Sequence, residues 1–507
     1  MSADGLSTIE IRFRTGTPPL EFATDNLIGA LEATGLSVVR TEFGSESRPV
    51  ADASVVVAVG ESDVEMVRPE LDVTLDDSVE EEGFLVDRST HDGEPVYAVI
   101  ARDEAGAMYG ILELAESIER RGGLMDIYRI QQNPNLSTRA VKFNLPWSPY
   151  RAGEHNDLQL DTCRDLDFWE AFLDMMARNR FNVLSLWNLH PFAFMVRSES
   201  FPEACPFDDD ELADWQEFWH SLFGMAADRG IDVYLVNWNI VVSPEFAEAY
   251  DVAEHGSTAE VVKEYTREVV TQTINEYENL TGLGVTLADW MEGMSATEKQ
   301  DWLQDTIIEG IKRADRQVDF IDRSVLTESI DEMRRVIDDA SAHENFGRIV
   351  VPSKFNWSHG HSTTNLELTH DYSTGEVDDR LWDPEPTNYD LTWMVRNEDF
   401  FVLRWGDPEF IREHIAQNAA GKDYVGGYFV GSEGFIPAQD YSHRTHKHKT
   451  WQYAFEKQWL LYMLWGRLLY DSETPDEVFA NAFEQRYGMD VGAELLEAYS
   501  LGSRMPL

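Results

Sequence analysis

From about residue 137 onward, short apolar runs alternate with longer amphipathic stretches, and each run ends in polar, aromatic or carboxylate residues. The runs cover residues 139–145, 181–188, 231–239, 283–290, 323–328, 349–356, 400–405 and 424–433. Runs of this length bounded by turn residues read as buried strands, and most intervals between them hold a crossover helix. Eight such units predict an α/β fold whose centre is a parallel (β/α)8 barrel of the TIM type, with its active site at the carboxyl ends of the strands. Those ends read FNLPW, LSLWNLH, LVNWN, TLADWMEG, VLTE, PSKFNWSHGH, VLRWGD and YFVGSEG.

The flanking segments carry different patterns. Residues 7–14 alternate as a strand, 25–34 read as a helix stopped by Gly35, and 54–59 and 96–101 are rich in β-branched residues. Residues 104–120 place Ala107, Ile111, Leu114, Ala115 and Ile118 on one helical face, with Gly122 and Gly123 as the stop. A small α/β sandwich domain is therefore expected over 1–135, with 131–135 as linker, followed by the barrel over 136–440 and a helical region over 441–507. No G-x-G-x-x-G follows a strand, so a dinucleotide fold is not expected. A helix is predicted from near residue 445 to 470, with Trp451, Phe455, Trp459, Tyr462, Met463 and Leu469 three and four apart. Further helices are predicted over 476–487 and from 492. So apolar a C-terminal layer predicts a homo-oligomer.

Charge changes the picture more than length does. Acidic residues number 93 against 41 basic ones, a formal net charge of −52, and they are spread along the whole chain. A carboxylate-coated surface repels itself at low ionic strength and is tolerated where salt screens it, so a salt-rich cytoplasm is the expected setting. There is no basic footprint for nucleic acid. The start MSADGLSTIEIRFRTG has no apolar run after positive charge, so no export leader is expected, and no apolar stretch is long enough to span a membrane. Cys163 and Cys205 make no disulfide scaffold.

The fourth strand end, Asp289-Trp290-Met291-Glu292, supplies the strongest pair of carboxylates. Glycoside hydrolysis commonly uses one carboxylic acid on the leaving oxygen and a second carboxylate as nucleophile or as base for water. A neighbouring Trp290 would strip water from Glu292 and raise its pKa, which suits a general acid. Glu433, between glycines on the eighth run, and Glu328, at the end of the fifth, are further candidates. Lys354 and Arg404 end the sixth and seventh runs and suit a carboxylate on the substrate. Trp147, Trp187, Trp238, Trp290, Trp357 and Trp405 are candidate stacking walls for pyranose rings. Asn188, His190, Asn239, Asn356, His359 and His361 are candidate partners for hydroxyls. His359 and His361 form an H-x-H pair to which Asp289 or Asp399 could add a third ligand, but there is no H-E-x-x-H, so no metal is expected, and no cofactor is implied.

The helix phrase GAMYGILELAE resembles the leading domain of hexosaminidase-like enzymes. Together with KFNWSHGHSTTN, RNEDFFVLRWGDPEFIREHI, YFVGSEGF and WLLYMLWGRLLY, the order of a small α/β domain, a barrel and a helical region is similar to the alpha-glucuronidase-type glycoside hydrolases. That resemblance implies exo-acting release of a glucuronic-acid-type sugar from short acidic oligosaccharides, with inversion and with Glu292 as the acid. The family's base comes from carboxylates on later strands, where this chain has Lys354, Asn356, Arg404 and Trp405, so Glu433 or Asp289 is expected to serve instead. Its helical region is also longer than the one here. Paired acids such as Asp289 and Glu292 also resemble hexosaminidases. A uronic-sugar lyase using His359 or Tyr441 and a non-catalytic carbohydrate-binding protein remain as alternatives.

Overall fold

The strands expected near the start form as β1 (Thr8–Phe13), β3 (Ala53–Val59) and β5 (Glu94–Ala101), and three more complete the sheet: β2 (Ser37–Glu42), β4 (Phe84–His91) and β6 (Ile130–Gln132). Their order is β2-β1-β3-β5-β4-β6, with β4 antiparallel to both of its neighbours. These coordinates come from a computed structural model that describes the chain apart from residues 1–5, 46–48, 72–74, 76, 125–126, 151, 288, 324–329, 370–374, 397–403, 433, 441–449 and 506–507. Ile9, Ile11 and Phe13 face one side of the sheet, where the helices Pro18–Ala33 and Glu104–Arg121 bury Leu20, Leu27, Met108, Ile111 and Leu114 against them. Helix Glu104–Arg121 starts where the Asp103 carboxylate accepts the Gly106 N–H at 2.7 Å and stops at left-handed Gly122, φ 76°. The expected linker is partly structured: Gln131 and Gln132 pair in β6, and the Asn135 N–H donates to the Tyr470 carbonyl at 2.7 Å.

The barrel consists of β7 (Thr138–Asn144), β8 (Val183–Asn188), β9 (Asp232–Asn239), β10 (Gly282–Leu287), β11 (Val318–Arg323), β12 (Phe346–Lys354), β13 (Asp390–Arg396) and β14 (Val425–Gly431), all parallel and closed by the pairing of β14 with β7. Closure demands glycine at 427, because any side chain there would collide with the Thr138 carbonyl. Ala140, Val183, Tyr234, Val236, Ile321, Val350, Met394 and Phe429 fill the interior, so the barrel is a packed core and not a channel. A larger apolar layer joins the outer strand faces to the surrounding helices.

Two expected strands are displaced. The fifth is Val318–Arg323, one strand length earlier than 323–328, and residues 324–329 lie outside the described residues. Two of its charged members have partners in place: Asp319 accepts from the Tyr234 hydroxyl at 2.7 Å, and Arg323 donates to the Thr286 hydroxyl at 2.7 Å. The seventh strand is Asp390–Arg396, not 400–405; residues 404–406 are irregular, and 397–403 are not among those described.

The C-terminal helix also differs. It starts at Ala454, breaks at Gln458 and resumes as Trp459–Tyr470, followed by Asp476–Tyr487 and Gly492–Ser503. Arg467 reaches across to helix Glu104–Arg121, where Glu113 accepts from it at 2.7 Å. The same carboxylate meets Arg180, just before β8, at 3.4 Å and Arg120 at 3.0 Å. Glu113, Arg180 and Arg467 are all buried. Among the described residues no helix is long and apolar enough to cross a membrane.

Candidate active site

Strand parity decides which side chains reach the barrel mouth. On β9, Tyr234 and Val236 face inward, so Trp238 does too, while Asn237 and Asn239 face the helices. Register then places Trp238, Thr286 and Arg323 side by side on β9, β10 and β11. Gly431, Lys142 and Ser185 align on β14, β7 and β8, and Lys354 aligns with Met394, Phe429 and Ala140. The upper layer of the barrel is thus aromatic and cationic.

Trp187 lies at its centre. Its indole N–H donates to Ser185 at 2.8 Å, its ring meets Trp238 edge-on at 5.3 Å, and Lys142 Nζ and the Arg323 guanidinium approach at 4.8 and 5.4 Å. Lys142 also donates to Asn144 at 2.6 Å and to the Ser432 carbonyl at 2.9 Å. The segment after β7 folds over this floor and lays Tyr150 flat on Trp238, ring centres 5.2 Å apart at 11°. The Tyr150 hydroxyl donates to Asp289 Oδ1 at 2.9 Å, and its ring meets Trp290 edge-on. A narrow cleft is lined by Asn144, Tyr150, His155, Asn156, Trp187 and Trp238. The Tyr150–Trp238 stack closes this cleft down, and the Asp289 carboxylate that Tyr150 holds lies beside it. A larger cleft, about 960 Å³, opens between the N-terminal helices and the amino end of the barrel, lined by Arg178, Arg180 and Asp228, among others. Its walls are paired charges remote from the strand ends that build a barrel site.

Of the expected catalytic acids, Asp289 lies at the mouth, half-buried. Glu292 is exposed on the following loop, and Trp290 packs on Tyr150 and His255 instead of covering it, so the expected desolvation of Glu292 by Trp290 is not found. Glu328 and Glu433 lie outside the described residues. Trp187, Trp238 and Lys354 reach the upper barrel, with Lys354 Nζ over the Trp357 ring at 4.4 Å. Arg404 stacks on Trp451 at 5.1 Å.

Other expected binders serve the framework. Trp147 packs edge-on against Trp215, Phe218 and Trp219 in the outer core. Asn188 bonds the Trp147 carbonyl and the His190 N–H. His190 pairs with the Tyr265 hydroxyl at 2.9 Å, and burial pushes its imidazole down to about 4, so it is neutral near pH 7. Asn239 accepts from Trp302 at 3.2 Å. Asn356, with φ 47°, clips residues 365–368 by three hydrogen bonds. His361 accepts from Trp465 at 3.0 Å beside buried Trp405, while His359 is exposed. Among the described residues no group of three His, Cys, Asp or Glu side chains is placed to hold a metal ion.

No protein-family model and no curated protein matches the sequence. Solved structures do match. A GH138 enzyme targeting pectin rhamnogalacturonan II aligns over 99% of this chain and 56% of its own, with TM-score 0.76 and 21% identity. The beta-N-acetylhexosaminidase of Bacteroides fragilis aligns over 99% and 94%, TM-score 0.54 and 13% identity, and the Flavobacterium johnsoniae chitobiase over 99% and 72%, 0.53 and 12%. The chain shares the fold of these three enzymes. The chain spans little more than half the length of the GH138 enzyme. At this barrel mouth the residues that sequence reading missed are Tyr150, Lys142, Thr286 and Arg323. Lys142 and Arg323 could have been found as lone cations in otherwise buried strands, AVKFN and VDFIDR; Tyr150, directly after Pro149, carried no such signal.

Proposed function

We propose that this chain is an exo-acting glycoside hydrolase that removes an acidic, glucuronic-acid-type sugar from short oligosaccharides, with residues 136–440 as its catalytic unit. The observation that carries this is Asp289 at the barrel mouth, held by Tyr150 against the stacked Trp238 face. A sugar ring needs a flat apolar partner, and its glycosidic bond needs carboxylates; both meet at the strand ends where barrel enzymes react. Glu292 on the same loop is the proposed acid, rotating inward over bound substrate, and Asp289 the base that activates water, with Glu433 and Glu328 the other carboxylates in contention. An inverting reaction follows from that division of roles. Lys354 in the upper layer and Arg404 beside Trp451 supply positive charge for the acidic group. The carboxylate-rich surface fits a salt-rich cytoplasm, and the apolar C-terminal helices fit a homo-oligomer that light scattering would reveal.

The test is turnover of aryl glycosides and uronic-acid oligosaccharides at molar salt, with the product anomer followed by NMR. Asp289→Asn and Glu292→Gln should each lower kcat by about 10²–10⁴ on substrates with poor leaving groups. A retained anomer would reject inversion, and full activity in both variants would reject the pair. The spacing of Asp289 and Glu292 favours one second possibility, a hexosaminidase-like enzyme, which would cleave N-acetylhexosaminides in preference to uronides.

A further inference from the structure

Residues 254–256, which follow helix Pro244–Tyr250, return to the mouth of the barrel and pair with the segment just after β9. The Val242 N–H donates to the Glu254 carbonyl and the Gly256 N–H to the Ile240 carbonyl, each at 3.0 Å, with Val241 opposite His255. This short ladder fixes His255 against Trp290, ring centres 4.8 Å apart at 46°. Gly256 is left-handed, φ 75°, and a Cβ there would come within 3.1 Å of the Trp290 carbonyl, so glycine is what lets the chain close this tightly. Trp290 in turn meets the edge of Tyr150 at 6.0 Å, and the Tyr150 hydroxyl holds Asp289. The pair lies outside the narrow cleft beside Trp187 and on the solvent side of Asp289. Trp187 and Trp238 are buried, Tyr150 and Trp290 half-buried, and the His255 side chain is 35% exposed. Trp187, Trp219, Trp302, Trp393 and Trp465 each donate their indole N–H to a protein acceptor, whereas that of Trp290 has none among the described residues. A rigid loop framework thus holds two rings and a free donor at the surface beside the proposed reaction centre. No described lysine or arginine makes an ion pair with Glu254, Asp289 or Glu292.

Resting on the hydrolase assignment above, we infer that Trp290 and His255 form the subsite for the sugar on the leaving-group side of the cleaved bond, and that this second sugar is neutral. An exo-acting enzyme keeps the terminal unit inward of its carboxylates and leaves the rest of the chain toward solvent, so a shelf on the solvent side of Asp289 meets the next unit. Indole and imidazole offer apolar ring surface to the C–H groups of a pyranose, and the Trp290 N–H donates to one of its hydroxyls. A second acidic sugar would meet Glu254, Asp289 and Glu292 with no described lysine or arginine paired to offset them. Recognition spans two units, acidic inward and neutral outward.

Three kinds of substrate are compared in the intact protein, in glucuronic and galacturonic series: a methyl uronide, a uronosyl disaccharide ending in a neutral sugar, and its counterpart ending in a second uronic acid. The expected result is a kcat/KM about tenfold higher on the neutral-ended disaccharide than on the methyl uronide, and higher than on the diuronide. Trp290→Ala and His255→Ala should each lower that advantage by about two- to tenfold, and Trp290→Phe, which keeps a ring, should retain part of it. A general disturbance of the Asp289 loop would instead lower all substrates together and leave the ratio unchanged. If Trp290→Ala fails to fold, His255→Ala carries the comparison. A second readout needs no turnover: in protein with isotope-labelled tryptophan, the indole resonance missing from Trp290→Phe should shift on titration with xylobiose or cellobiose. An unmoved resonance with equal rates on methyl uronide and disaccharide, or equal fractional losses on every substrate in both variants, would overturn the inference and make the pair a brace for the Asp289 loop. A preference for the diuronide would overturn the neutral assignment. A resonance that shifts in a protein that turns over no glycoside would leave the neutral-sugar site standing and reject the hydrolase. Turnover with no advantage from the second sugar would do the reverse.

Discussion

Replacing Tyr150 with phenylalanine isolates one hydrogen bond at the proposed reaction centre. The phenol donates to Asp289 Oδ1 at 2.9 Å, and its ring lies on Trp238 at 5.2 Å and 11°, so the variant keeps the stack and loses the bond. A hydrogen bond to a charged group contributes about 1.5–3 kcal/mol, and the half-buried setting of both partners favours the lower end. At about 1.4 kcal/mol per tenfold in rate, Tyr150→Phe should lower kcat by about tenfold to thirtyfold and leave KM nearly unchanged, because Asp289 is then misoriented while the sugar platform is intact. Tyr150→Leu removes the stack as well, which adds about 0.5–1.5 kcal/mol and should raise KM by up to about tenfold. Initial rates on the best aryl glycoside give both parameters, and a thermal melt confirms that each variant is folded. If Tyr150→Phe retains kcat within twofold of the parent, Tyr150 does not position Asp289 for chemistry.

Other outcomes follow from the rest of the molecule. Arg467→Met should cost about 3–5 kcal/mol in denaturant unfolding, since it strands Glu113 among buried groups; a loss below about 1 kcal/mol would show that Arg120 and Arg180 suffice. At the amino end of the barrel, Asp232 keeps one side open to water, yet loss of hydration and then the charge of Asp319 push its carboxyl up to about 6. The folded state therefore holds that proton more tightly than the unfolded chain, and this contribution, present below pH about 4, is lost as pH rises through 6. Asp232→Asn should melt higher than the parent above pH 6 and equally at pH 4; a constant offset would contradict the shift. Finally, melting temperature should climb from low to molar salt as carboxylate repulsion is screened, and a flat or falling midpoint would reject salt adaptation.

The repeat of apolar runs carried the barrel because β8, β10 and β14 hold no charged residue and β9 holds one only at its first position. β11 escaped because Asp319, Asp322 and Arg323 make VDFIDR look like surface, and only tertiary partners such as Tyr234 and Thr286 make those charges tolerable inside. β13 was missed because a long connection after β12 offers a second apolar run at 400–405, and spacing alone does not choose between them. Parity would have sorted part of the site: once Trp238 is inward, Asn239 must face Trp302. Nothing local distinguishes Trp405 or His361, whose burial depends on Trp465 from a distant helix. The chemistry of the Asp289 loop was legible as residue types; its geometry needed Tyr150, more than a hundred residues away in sequence.

Glu113 answers to Arg120 on its own helix, to Arg180 at the entrance of β8 and to Arg467 near the other end of the chain. The leading sheet and the trailing helix are therefore not appendages that could be trimmed to obtain a minimal barrel. Cutting away either would expose an orphan charge of opposite sign on what remained. Grafting this barrel onto a foreign neighbour would require rewriting the seam on both sides together. Homologous exchange between such proteins should accordingly preserve the three segments as a block, and libraries that shuffle them should recover folded members chiefly where both halves of the seam share a parent.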